Sequence, residues 1–122
     1  MDGIQQIIQD FIEASIKQEE ATLAGKHKVM NKRYSEIKDL TAKLRELGDN
    51  SLEVLIPLLS HENSYVRYNA SFAIIPINPE KAKEVIKEIS QQKSSIGFTA
   101  MMVLRELENG NLKLMHKFDI FG

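Results

Sequence analysis

Sliding the chain by 30 residues lays Leu52–Ile77 over Ala82–Leu107 without a gap, and apolar residues coincide at eleven positions. Among them are Leu52 with Ala82, Leu59 with Ile89, Val66 with Ile96 and Ala70 with Ala100. The windows hold 15 and 12 apolar residues among 26, so chance would give roughly seven coincidences, and a period of 20–50 residues signals a repeat only above such a background. Identities add to the excess: Ile56 and Ile86, Ser60 and Ser90, Ser64 and Ser94. Each copy reads as helix, polar turn, helix, the unit from which α-solenoids are stacked. A chain built this way is expected to present a surface rather than a reaction centre.

The flanking segments support an all-α reading. Ile4, Ile7, Ile8, Phe11 and Ile12 repeat at helical spacing, which predicts a helix from about Asp2 to Leu23 with Gly25 as its stop. Met30, Tyr34, Ile37, Leu40, Leu44 and Leu47 predict a second helix closed by Gly48. Asp49-Asn50-Ser51 offers N-caps to a third helix reaching about Leu59, with Pro57 bending or shortening it. A fourth runs over Tyr65–Ile75, capped by Ser64 and stopped by Pro76. Asn78-Pro79-Glu80 combines an N-cap, a proline at the first helical position and an acid in the first turn, and the fifth helix it opens ends near Gln91. The sixth covers Ile96–Asn109 and closes at Gly110. At 100° per residue, the fourth helix is apolar on two sides: Val66, Ala70, Ala73 and Ile74 on one, Tyr68, Phe72 and Ile75 on the other. Such a helix is sandwiched between neighbours.

The expected fold is a single domain, a short right-handed α–α superhelix of HEAT-like or armadillo type with about three helical hairpins. Residues 1–48 form a long N-terminal hairpin, 51–77 and 81–110 are the two repeats, and 111–122 is an apolar-rich tail capping the open end.

Bulk composition narrows the function. Formal net charge is −1, with eight basic and nine acidic side chains in residues 1–50 and eight of each in 51–122. Without a basic excess there is no general driving term for phosphate backbones. The absence of cysteine removes disulfides, thiolate zinc sites and thiol nucleophiles. The N-terminus lacks the basic start and continuous apolar stretch of a secretory signal. The longest apolar runs, Val54–Leu59 and Phe72–Ile77, each contain a proline and are too short to span a bilayer, so a cytoplasmic location is expected.

No catalytic residue, metal ligand or cofactor site emerges. His61-Glu62 opens a zinc-protease His-Glu-x-x-His pattern, but Tyr65 stands where the second histidine is needed. His27 and His116 lack partners at ligand spacing. Gly25-Lys26 lacks the rest of a phosphate loop. Glu19/Glu20 and Glu106/Glu108 sit in ordinary helical sequence with nothing to desolvate them. Lys26, His27, Lys28, Lys32 and Arg33, beside Tyr34, form a basic cluster offset by Glu19, Glu20, Glu36 and Asp39. Met101 and Met102 read as adaptable core filler. Arg67 has two readings. It ties down its polar turn or a neighbouring helix's C-terminal carbonyls, or it anchors a partner. In the second copy its place is taken by Gly97.

Leu55-x-x-Leu58-Leu59, a polar turn, then Val66-Arg67-x-x-Ala70-x-x-Ala73 resembles the short HEAT-like repeat, in the form also seen in phycobilisome-lyase-type repeats. Four stretches are similar to a small bacterial family of unknown function with HEAT-like helices: Asn31-Lys-Arg-Tyr34, His61-Glu-Asn-Ser-Tyr-Val-Arg67, Pro79-Glu80-x-Ala82 and Leu104-Arg-Glu-Leu-Glu-Asn-Gly-Asn-Leu112. They span Met30 to Leu112. Relatives are expected to carry a tryptophan after the Val-Arg pair, where this chain has Asn69. HEAT-like proteins of this size also resemble immunity proteins of bacterial toxin systems. The resemblance implies a non-enzymatic protein-interaction module whose partner is another protein, with a concave face carrying Arg67, Ser71, Met101 and Arg105, and Tyr65 and Tyr68 nearby. The alternative is a nucleic-acid-binding protein on a DNA-glycosylase-like scaffold, which needs a basic groove this chain lacks.

Overall fold

The structure, a computed structural model, describes residues 2–110, without the side chains of Asp2 and Asp49. Among the described residues there are five α-helices, one 3₁₀ helix and no strand. The α-helices are α1 (Asp2–Leu23), α2 (His27–Glu46), α3 (Ser64–Ala73), α4 (Pro79–Ile89) and α5 (Ser95–Glu108). The tail expected to cap the stack, 111–122, lies outside the described residues.

α1 ends as its glycine predicts. Gly25 has φ +70°, and the Lys26 and Gly25 amides donate back to the Ala21 and Thr22 carbonyls, which completes a Schellman closure. α1 and α2 then pack as a hairpin, burying Phe11, Ala14, Ile37, Leu40 and Leu44. Gly48, at φ +117°, ends the turn after α2.

The third segment departs from expectation. Asp49–Ser60 is a 3₁₀ helix, not an α-helix, and its N-cap is Gly48 with no side-chain cap bond. Long 3₁₀ runs are uncommon, but here the side chains favour one. At three residues per turn, positions i and i+3 eclipse. Leu52, Leu55 and Leu58 therefore form one straight stripe, and all three are buried. Pro57, exposed off that stripe, has no N–H to give an α-helical ladder, and its ring would crowd a carbonyl in an α turn.

α3 begins one residue after Asn63, whose side chain accepts from the Tyr65 and Val66 amides; the cap is thus Asn63, not Ser64. It stops at Ala73, two residues earlier than expected, well clear of Pro76. α4 starts as its signature predicts, with the Asn78 carboxamide oxygen accepting from the Lys81 amide and Pro79 at the first helical position. α5 is capped by Ser94 and closed at Gly110, with φ +77°.

The packing pairs the 3₁₀ helix with α3 and α4 with α5, while α3 also touches α1, α4 and α5. α3 is the centre of the molecule. Val66 and Ala70 are fully buried on one side, Tyr68 and Phe72 are half-buried on the other, and Ile74 and Ile75 just past its end are buried too. Asn69 is buried too, and its side-chain amide donates to the Ser15 hydroxyl and to the Gln18 side-chain oxygen Oε1, 3.0 Å each, fastening α3 to α1. Four of the eleven coincident pairs, Leu52 with Ala82, Leu59 with Ile89, Val66 with Ile96 and Ala70 with Ala100, are buried at both positions.

Candidate interaction surface

The polar turn His61–Ser64 joins several elements at once. The Arg67 guanidinium donates to the His61 and Glu62 carbonyls at 2.7 and 3.0 Å and to the Ser64 hydroxyl at 3.2 Å. His61 caps the C-terminus of the 3₁₀ helix, so Arg67 places its charge where helix carbonyls lack partners. The His61 Nδ1 accepts from the Asn63 amide, which spends that ring nitrogen on turn geometry. Outward, the Asn63 amide group donates to a Glu19 carboxylate oxygen at 2.8 Å, and the Gln92 amide donates to Ser64 at 2.9 Å. The turn thereby links α1 to the loop between α4 and α5. Of its two sequence readings, Arg67 adopts the tie to its own turn.

Gly97 shows why this tie is not repeated. A Cβ at Gly97 would overlap the Gln92 carbonyl oxygen and stand 2.9 Å from its carbon. Thirty residues earlier, the Glu62 carbonyl is held by Arg67. The two copies close equivalent turns differently, one by a guanidinium and one by direct backbone contact that only glycine permits.

The residues expected on a concave face, Arg67, Ser71, Met101 and Arg105, and the nearby Tyr65 and Tyr68 differ in exposure. Tyr65 and Ser71 are buried, and the Ser71 hydroxyl is spent on the Tyr68 carbonyl at 2.8 Å. Neither side chain can reach a partner. Tyr68 is half-buried, stacks on Phe72 at 6.1 Å and faces Tyr34 and Ile37 of α2 across a small gap. Burial, with the nearby Tyr34 phenol second, pushes its phenol above the ordinary value. Arg67 is engaged as described. Met101 and Arg105 alone lie open, both on α5.

Their surroundings define a different surface. Met101 and Met102 are 39% and 46% exposed, not core filler, and Phe98 beside them is 59% exposed. Advancing 100° per residue, Phe98, Met101, Met102 and Arg105 occupy one arc of α5. At the matching positions, Tyr68 and Phe72 of α3 are half-buried, and Ser71 and Ile75, the latter just past the helix, are buried. The repeat hides this difference, because Tyr68 and Phe98, like Phe72 and Met102, are large and apolar in both copies. Among the described residues, that arc has close neighbours on α3 and stays exposed on α5. At the N-terminal end of the arc is a cleft of about 240 Å³ lined by Ser90, Gln92, Lys93, Ser94, Gly97, Phe98 and Met101.

The basic cluster is already partly committed. Arg33 contacts Glu36 at 2.9 Å, and Lys38 sits over the Tyr34 ring. A cleft of about 320 Å³ between α1 and α2 mixes Asp10, Glu13, Glu36 and Asp39 with Arg33 and Lys43, giving no single sign of charge. Among the described residues no group of three or more His, Asp or Glu side chains could hold a metal ion, and no helix is long and apolar enough to cross a membrane.

Comparison with known proteins bears on this arrangement. The family described as a domain of unknown function, DUF2019, matches residues 5–108. The chain belongs to that family. The crystal structure of the protein RPA1889 from Rhodopseudomonas palustris CGA009 superposes with a TM-score of 0.82 at 22% identity, over 88% of this chain and 89% of that one. That likeness shows a shared fold. No curated protein matches the sequence. The DUF2019 match runs from the first turns of α1 to the last residue of α5, so the polar turn, Gly97 and the open arc all fall inside it.

Proposed function

We propose that this DUF2019 chain is a cytoplasmic, non-enzymatic protein-interaction module, a short right-handed HEAT-like superhelix that presents α5 to another protein. The observation that carries the reading is the arc of Phe98, Met101 and Met102, three large apolar side chains held open on a helix whose other side is core. Clustered apolar exposure marks interaction surfaces in a way that scattered single residues do not. Arg105 on the same arc supplies the residue type favoured at binding hot spots, and methionines adapt to a partner's shape. The contact face, expected across Arg67, Ser71, Met101 and Arg105, is thus narrowed to α5, and Arg67 becomes its structural support through the Ser64–Gln92 link. An immunity-like role, blocking a toxin sterically, is the specific form this reading takes.

The test compares the full chain with Phe98→Glu and Met101→Glu as baits in extract of the native host. One stoichiometric protein, recovered by the native chain and lost by both variants at unchanged melting temperature, is the expected result. Binding to DNA at low salt that charge reversal at Lys26, Lys28 and Lys32 abolishes, with no protein recovered, overturns it.

A further inference from the structure

We infer that the open arc of α5 pairs with the same arc of a second copy of this chain, antiparallel about a two-fold axis between Met101 and Met102. The inference rests on the α5 reading above and names the occupant. Phe98, Met101, Arg105 and Glu108 recur at steps of three, four and three, the spacing of a helix–helix seam, with Met102 beside them on the same arc. From Ser94 to Asn109 that seam is about 24 Å long.

The charges along it are self-complementary in one direction only. A parallel pair would set Arg105 on Arg105 and Glu108 on Glu108. An antiparallel pair centred between the methionines sets Met101 on Met102, Arg105 of one copy on the Phe98 ring of the other, and Glu108 on Ser95. Arg over an aromatic face is attractive. Glu108 then lies at the N-terminus of the other α5, the end where a negative charge is favoured, and beside Lys93. The cleft lined by Lys93, Ser94 and Phe98 leaves room there for the incoming Arg105–Glu108 turn. An isologous contact of this kind closes as a dimer and leaves no sticky end.

Three large apolar side chains per copy bury on the order of 300 Å², short of the ~800 Å² per partner of a standard interface. The dimer is therefore weak and reversible.

Sedimentation of the full-length chain from about 5 to 500 µM tests this, the weight-average mass rising toward that of a dimer across a Kd in that range. The native chain has no cysteine, so Met102→Cys reports contact cleanly. It is expected to form a disulfide-linked dimer on mild oxidation, while Ala42→Cys on the exposed side of α2 stays monomeric. Glu108→Lys is expected to weaken association at least fivefold, and adding Lys93→Glu to restore it. A monomer at every concentration, or a dimer that survives Phe98→Glu, overturns the inference. The two readings separate: if the chain stays monomeric but its α5 variants lose a host protein, self-pairing fails and the interaction module stands. If the chain dimerises through α5 and no host protein is recovered, the occupant is the second copy alone.

Discussion

Gly97 and Arg67 close equivalent turns, and their substitutions should fail for opposite reasons. Gly97→Ala adds a methyl group against backbone, which cannot rotate away, so a loss of about 1–3 kcal/mol in urea unfolding is expected. Ser95→Ala, exposed at the start of the same helix, should change little. Arg67→Ala removes three hydrogen bonds and leaves two carbonyls short of donors, again costing about 1–3 kcal/mol. Arg67→Lys should recover only part of this, because an ammonium cannot reproduce the planar fork. If either substitution instead leaves stability intact and removes a binding partner, the structural role assigned to the turn is wrong.

Tyr68 ties stability to pH. Tyr68 is half-buried, and the fold favours its neutral phenol through desolvation and the nearby Tyr34. The sign follows from that. Its contribution is complete below the phenol's ordinary value of 10.0 and is lost as pH rises further, because the unfolded chain releases a proton the folded chain retains. Melting temperature is expected to fall above pH 10, and less steeply in Tyr68→Phe. An identical alkaline profile for both proteins would assign the fall to other groups.

The elements show how far local chemistry reaches. Asn78-Pro79-Glu80 and the glycines at 25, 48 and 110 announce helix ends that the structure places where they point. Short polar strings are less decisive. Asn63 and Ser64 are both competent caps, and which one caps depends on whether Ser64 is needed by Arg67 and Gln92. Asn63→Ala is therefore expected to cost more than a lone cap, about 2 kcal/mol, since it also releases the bond to Glu19; Asn78→Ala should cost about 1 kcal/mol. Chemical denaturation of the two variants measures the difference. The 3₁₀ helix leaves a trace in the sequence, Leu52, Leu55 and Leu58 at a strict spacing of three. A short apolar run with a proline fits several periods, and burial of that single stripe against α2 and α3 selects one.

For the whole molecule, the balanced charge predicts that the chain passes through heparin at low salt, whereas retention that falls steeply with salt would revive the nucleic-acid reading. Phe98→Glu should leave stability within about 0.5 kcal/mol, because the ring is mostly in water. Leu55→Ala should cost about 2–5 kcal/mol, because that side chain is fully enclosed. The two positions look alike in sequence, each a large apolar residue in a helical segment. What separates them is only the neighbours they meet.

That contrast marks what each level decided. Periodicity, glycines and caps are local, acting within a few residues, and they determined by themselves that the chain is all-helical, roughly where its helices stop, and that Leu52–Ile77 echoes Ala82–Leu107. Exposure is not local. Tyr65 and Ser71 are buried and Met101 is exposed because α3 packs against the 3₁₀ helix, α1, α4 and α5, whereas α5, the last described helix, packs mainly against α4. Only the tertiary structure could tie Arg67 to its own turn and leave the Phe98–Met102 arc of α5 exposed, since both depend on which carbonyls and which arcs the neighbouring described elements leave unfilled.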